Sequence, residues 1–345
     1  MVDIPRVDWY GCYDGSWQSA PLVAEAYSHP AKVSFNLAER IYRHMLAEGW
    51  LRPGDAVLDP FGGVGGFGFH AALYGMHWTG VELEQKFVDL GRQNLDLWRN
   101  RYAPHFPGYG SARLVQGDSR RLVEVVMGAG GVVSSPPYVD AVNAGGEGPG
   151  MAGNAARRSR IYAGAQSENA AKSMGIGYGL SPGQLGAMPA GVVSSPPFEG
   201  VVQHDGGPVL QQGGTMYSDY GSIPGNIGNN TGDTFWSAAA LIVAQCYDIL
   251  RPGGYAAWVT GDFVRNKKRV PFGEQWLALC ESVGFEPVLW AVAWKAEQHG
   301  EQLDIFGNGH EHGKTKVSFF RRLANQKSPE TAIVNEDVIF VRKPL

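Results

Sequence analysis

One heptapeptide, Gly-Val-Val-Ser-Ser-Pro-Pro, occurs twice in this chain, at Gly131–Pro137 and Gly191–Pro197, with Tyr138 and Phe198 as the next residues. The paired valines suit a short buried strand. The two prolines that follow fix φ and remove two donors, so the backbone leaves the strand in one defined direction. Their carbonyls stay free to accept hydrogen bonds, and the aromatic residue can stack on a flat ring. Such a segment can hold a planar, amine-bearing group. Upstream lies a glycine-rich strand end, Asp59-Pro60-Phe61-Gly62-Gly63-Val64-Gly65. Together the two features place a cofactor site and a substrate site on one sheet.

The hydrophobic pattern supports that architecture. Val33 to Ala47 has apolar residues at helical spacing, with Ser34 or Asn36 to cap it and Gly49 to close it. Ala56–Leu58, Trp78–Glu82 and Ala112–Gln116 read as strands, and Phe67–Tyr74, Gln85–Arg101 and Arg121–Met127 as the helices between them. The first heptapeptide is the next strand. Alternation of this kind predicts a doubly wound, mostly parallel α/β sheet. Residues 139–232 break the pattern: they are rich in Gly and Asn, have few apolar runs and contain the second heptapeptide. A stretch of that length within a compact domain is functional or mobile. Regular elements resume with a helix at Thr234–Leu250, a strand at Tyr255–Thr260, a helix at Gln275–Ser282 and a strand at Pro287–Trp294. A helix at Lys316–Ala324 and a last strand at Asp337–Val341, antiparallel to its neighbour, complete the set. The expectation is therefore a seven-stranded sheet with one antiparallel strand. It divides into 1–138, an inserted target-recognition or lid region at 139–232, and 233–345.

Three acids end three consecutive strands: Asp59, Glu82 and Asp118. In open α/β sheets that edge is where ligands bind. No Gly-Lys-Ser/Thr follows the glycine-rich turn, and Asp59 would repel a pyrophosphate, so a nucleotide-phosphate loop is disfavoured. An acid at Asp59 suits a ligand amino group, one at Glu82 suits ribose hydroxyls, and one at Asp118 can accept from an adenine amine.

With these motifs in this order, the chain resembles the amino-methylating DNA methyltransferases, which modify the exocyclic amine of cytosine or adenine. His29-Pro30-Ala31-Lys32 is similar to that family's N-terminal cofactor motif, and Asp59 to Gly65 to its methionine-binding loop. Gly80-Val81-Glu82 is similar to its ribose motif, Gly117-Asp118-Ser119 to its adenine motif, and Ser135-Pro136-Pro137-Tyr138 to its catalytic motif. The resemblance implies a Rossmann-like methyltransferase fold and S-adenosylmethionine as cofactor. It places that cofactor at Lys32, Asp59, Pro60, Phe61, Gly62, Gly63, Gly65, Glu82, Asp118 and Ser119. Double-stranded DNA is the implied partner. Ser in the first catalytic position leans toward cytosine N4, with adenine N6 as the alternative. Pro-Pro-aromatic pockets also serve amines and amides of RNA or protein, and a non-catalytic, cofactor-sensing nucleic-acid binder is a third reading.

The chemistry fits the residues. Accepting hydrogen bonds from both amine protons, through Ser135 and the Pro136 carbonyl, favours the transition state without a strong base. Tyr138 is placed to stack on a base drawn out of the duplex. The first copy follows Gly117-Asp118-Ser119 after one helix-strand step and is the preferred catalytic motif. In the alternative, Ser195, Pro196, Pro197 and Phe198 form the pocket, or both copies line the cleft.

Composition narrows the rest. The chain has 345 residues, 44% of them hydrophobic, and a net charge of −4, so nucleic-acid binding would be local and salt-sensitive. Basic clusters at Arg157, Arg158 and Arg160, at Lys267, Lys268 and Arg269, and at Lys316, Arg321 and Arg322 are the candidate DNA contacts. Three scattered cysteines point to a reducing, cytoplasmic setting without disulfides or zinc. Met1 to Pro21 has no apolar core of a secretory leader, and no apolar run is long enough to span a bilayer. His310-Glu311-His312 lacks metal-site spacing, so no metal is expected. Trp276, Trp290 and Trp294 read as core or rim. Asn226, Asn229 and Asn230 belong to a turn-rich loop or read base edges. A monomer or homodimer is expected.

Overall fold

The computed structural model describes residues 4–13, 21–28, 33–127, 188–197, 226–265, 268–295, 302–303, 309–310 and 332–345. Almost all of them belong to one compact unit, Met1–Val126 with Pro189–Leu345.

Its centre is an eight-stranded sheet. The strands are β1 (Arg6–Trp9), β2 (Ala56–Asp59), β3 (His77–Glu82), β4 (Ser111–Gln116), β5 (Gly191–Ser194), β6 (Tyr255–Thr260), β9 (Glu286–Trp294) and β12 (Asn335–Arg342). Across the sheet they run β1-β9-β12-β6-β5-β2-β3-β4. Only β12 is antiparallel to its neighbours, β6 and β9. The order reverses at β2 and β5, which is the switch point where ligands collect in such sheets. Short hairpins pair β7 (Phe263–Arg265) with β8 (Lys268–Val270), and β10 (Gln302–Leu303) with β11 (Gly309–His310).

Among the described residues, six helices cover the two faces: α1 (Phe35–Ala47), α2 (Gly66–Leu73), α3 (Gln85–Tyr102), α4 (Leu122–Met127), α5 (Gly232–Ile249) and α6 (Phe272–Val283). Strand alternation divides the core. Val57, Val193, Ala257 and Phe340 point to the side of α1, α2 and α3. Leu58, Val192, Trp258 and Ile339 point to the side of α4, α5 and α6. Burial on both faces explains why these strands read as continuous apolar runs.

The strand count differs from the seven expected. β1 adds at the edge, parallel to β9, with Arg6 opposite Trp290 and Trp9 opposite Ala293. Arg-Val-Asp-Trp carries too little apolar pattern to announce a strand. Its anchors are tertiary: Trp9 is buried against His44 and Phe340, and the Arg6 guanidinium lies 4.9 Å from the Trp290 ring centroid. Ser34 stands at the N-cap of α1, but its hydroxyl donates to the Cys12 carbonyl at 2.6 Å instead of capping the helix. That bond and one from Asn36 to the Gly11 carbonyl tie the N-terminal strand to α1. The predicted helix at 316–324 lies outside the described residues. No described helix is long and apolar enough to cross a membrane.

Candidate functional site at the carboxyl edge of the sheet

The loop from β2 to α2 owes its shape to close packing below it. A Cβ on Gly62, Gly80 or Gly91 would lie 2.5, 2.7 or 2.4 Å from a Leu114 methyl, so Leu114 of β4 fills a notch that three glycines leave open. Gly65 then takes φ 87°, a left-handed conformation, to start α2. Asn94 of α3 secures the loop from the side. Fully buried, it donates to the Val64 carbonyl at 3.0 Å and accepts from the Val23 amide at 2.8 Å. Nothing in the sequence marked Asn94, because a polar residue on a helix carries no signal until its partners are known.

Asp59 ends β2 and is 1% exposed. Its Oδ1 accepts from the Phe61 amide at 3.0 Å and from the Ser194 hydroxyl at 2.6 Å. Its Oδ2 is buried with no hydrogen-bond partner. Burial pushes this carboxyl up to about 7, against the two donors and with a further push from Glu82. A buried, half-satisfied carboxylate is costly unless a ligand completes it.

Glu82 ends β3 and receives the Gly63 amide at 3.0 Å on one oxygen and the Glu84 amide at 2.9 Å on the other. Burial raises it above the usual carboxylate range, and these backbone donors oppose that. Even with the Leu83 amide acting on it as well, the carboxylate keeps capacity for a further donor. Asp118, beyond β4, is held differently. Its carboxylate takes the Arg120 guanidinium, with a closest approach of 2.6 Å, and the Arg120 amide at 2.9 Å. Burial works to raise Asp118, but Arg120 outweighs it and holds the group below its ordinary value. Ser119 donates to the Pro60 carbonyl at 2.5 Å, tying the β4 end to the β2 loop. The three acids thus lie at neighbouring strand ends, as the sequence order implied.

On the other side of β2 stands β5, the strand of the second heptapeptide. Its Gly191 and Val192 pair with Val57 and Leu58, and all four residues pair with β6. Ser195, Pro196 and Pro197 therefore leave the sheet next to Asp59. The turn at Ile227–Asn229 packs nearby, since a Cβ on Gly228 would lie 3.5 Å from the Pro197 Cβ. Asn226 accepts from the Gly228 amide at 3.1 Å and reaches Glu84 Oε1 at 3.4 Å. It is a turn residue that borders the site.

Several expected residues lie outside the described ones: Ser135, Pro136, Pro137 and Tyr138 of the first heptapeptide, Phe198, and Lys32. The same holds for Arg157, Arg158, Arg160, Lys267, Lys316, Arg321 and Arg322. Of the basic candidates, Lys268 and Arg269 are described. Both are exposed on the β7–β8 hairpin that follows β6, and Arg269 pairs with Asp262 at 2.7 Å. Trp276 and Trp290 are core residues, and Trp294 donates to Asp8 at 2.8 Å. Among the described residues, no group of three or more His, Cys, Asp or Glu is placed to hold a metal ion.

A doubly wound, mostly parallel sheet with one inserted antiparallel strand is a Rossmann-like fold. No family model matches the chain. Over 126 residues it is 28% identical to the tRNA (guanine(10)-N2)-dimethyltransferase of Methanothermobacter thermautotrophicus, a stretch that is 36% of this chain and 34% of that protein. The chain thus spans about a third of the length of the curated relative it matches. A SAM-dependent methyltransferase of Methanosarcina mazei is 11% identical, with 87% of this chain and 97% of that one covered and a TM-score of 0.39. Phosphoethanolamine N-methyltransferase 2 of Haemonchus contortus, solved with S-adenosyl-L-methionine, is 10% identical, with 96% and 60% covered and a TM-score of 0.42.

Proposed function

We propose that this chain is an S-adenosylmethionine-dependent methyltransferase that modifies the exocyclic amine of a nucleobase, with cytosine N4 in DNA as the acceptor. The observation that carries the reading is the 2.6 Å hydrogen bond from Ser194 to Asp59. It joins the glycine-loop strand to the Ser-Pro-Pro strand, so one carboxylate borders both half-sites.

The residues fit the cofactor. Asp59 has a buried oxygen without a partner for its ammonium, Glu82 has lone pairs for its ribose hydroxyls, and the Gly63 to Gly65 turn lets the backbone approach closely. Asp118 and Ser119 border the adenine side. When bound, the cofactor supplies a methyl group activated by the sulfonium. The remaining work falls to the chain. Ser195 and the Pro196 carbonyl accept from the two amine protons of the base, which localises the nitrogen lone pair. Phe198 stacks on the extruded ring, and the fixed Pro-Pro backbone aligns the amine for attack. The second heptapeptide takes the catalytic role in this reading because β5 lies beside β2. The first copy, preferred on sequence order alone, becomes the alternative.

The tRNA-directed relative favours a second reading, in which the acceptor is an exocyclic amine in RNA. Labelled methyl transfer to duplex DNA, tRNA and protein, followed by nucleoside mass spectrometry, separates them. N4-methylcytosine in DNA is the expected product. Label in RNA alone selects the second reading, and cofactor binding without transfer to any acceptor selects a sensor.

A further inference from the structure

Ser194 was not among the sequence candidates, since it precedes the tetrapeptide and takes no part in the motif. Yet it is fully buried and spends its hydroxyl on Asp59. We infer that Ser194 is a positioning residue: by holding Asp59 Oδ1 it stabilises the charged carboxylate and leaves Oδ2 for the ammonium of the cofactor. This rests on the reading of the site as an S-adenosylmethionine site.

The surroundings make that hydroxyl consequential. Asp59 is faced by Glu82 from β3, by the Tyr42 phenol from α1 and by the Cys246 thiol from α5. Burial pushes both the phenol and the thiol above their ordinary values, so both are neutral near pH 7. Among the described residues no cation pairs with Asp59. Its charged form therefore depends on two donors, Ser194 and the Phe61 amide. Removing one favours the protonated acid, which cannot pair with an ammonium ion.

Calorimetric titration of the full chain from pH 5.5 to 7.5 tests this with two ligands. S-adenosylmethionine carries the ammonium; methylthioadenosine lacks the amino-acid half. For the unsubstituted protein, affinity for the first ligand rises with pH and affinity for the second stays flat. In Ser194→Ala the rise moves to higher pH, with about tenfold weaker S-adenosylmethionine binding at pH 6.5, and methylthioadenosine binding is unchanged. Ser194→Cys keeps the volume and weakens the donor; it shifts the profile in the same direction by less, and it serves if the alanine variant does not fold. An unmoved profile in these variants, or equal weakening for both ligands, overturns the inference. Failure of the unsubstituted protein to bind either ligand overturns the cofactor reading itself.

Discussion

Of the buried carboxylates at the carboxyl edge of this sheet, Asp59 and Asp337 have partners that separate a site from a core. Asp337, near the start of β12, lies opposite Thr260, the last residue of β6. Its Oδ1 receives the Trp290 indole at 3.1 Å and the Asn335 amide at 2.9 Å. Asp59 likewise receives both of its donors on one oxygen, Oδ1, but its Oδ2 is buried without a partner. Burial raises both acids above their ordinary values. What also distinguishes them is the charge nearby: Arg269 acts on Asp337, and no described cation acts on Asp59. Near Asp337, Arg269 and Asp262 form a pair, and Lys295 pairs with Glu336 at 2.8 Å. The β9–β12 region supplies its own counterparts, whereas the β2–β5 region holds a buried acid oxygen without one.

The widest separation between the two regions is expected from loss of the stacking aromatic. Phe198→Ala lowers kcat/KM for base methylation by at least about a hundredfold, while Tyr138→Ala changes it little; the reverse result would return the catalytic role to the first heptapeptide. Next come the two acids. Asp59→Ala weakens S-adenosylmethionine binding about a hundredfold by removing one member of a buried charge pair. Asp337→Ala leaves that affinity within twofold and destabilises the fold by about 1–3 kcal/mol, because it strands the Trp290 and Asn335 donors. Calorimetry and thermal denaturation read these effects, and equal affinity losses would erase the contrast.

Stability against pH sharpens it further. Asp59 titrates at about 7 in the fold and at about 4 in an unfolded chain. An acid whose folded pKa is raised binds its proton more tightly when folded, so it loses stability as pH rises across that window. Asp59→Asn should therefore gain on the unsubstituted protein between pH 4 and 7, read as a narrowing or crossing of their melting temperatures. A constant difference would mean that Asp59 is not the titrating group. The smallest effect falls on the β7–β8 hairpin. Lys268→Ala should lower the slope of log affinity for nucleic acid against log salt by about 1, with no change in cofactor binding. An unchanged slope would remove the hairpin from the contact surface.

Much of this was legible in the residues. The periodicities placed α1, α3, β3, β6 and β9 within a few positions, and the antiparallel last strand was expected beside β9. Asp59 stands at a strand end because an apolar run meets Pro60 and a glycine-rich turn, and Glu82 because the run gives way to the polar start of α3. Asp118 was also located, and Arg120, two residues on, pairs with the carboxylate expected to face an adenine. β1 was not visible, since its strand character comes from Trp290 and Phe340. Asn94 and Ser194 were not visible either, because the partners that give them meaning, Val64 and Asp59, are distant in sequence.

The repeated heptapeptide marks the boundary between the two kinds of information. Its residues alone determine a short buried strand that ends at two prolines whose carbonyls can only accept. Identical copies carry identical local propensity, so local sequence cannot choose which one enters the sheet beside β2. For the second copy, long-range bonds decide: Ala190 donates to the Ala56 carbonyl, its own carbonyl receives Tyr255, and Arg251 donates to Pro189. Gly191 lies where a Cβ would meet Leu51 at 2.8 Å. Those partners come from β2, β6 and the turns that follow α1 and α5, and only the assembled fold brings them together.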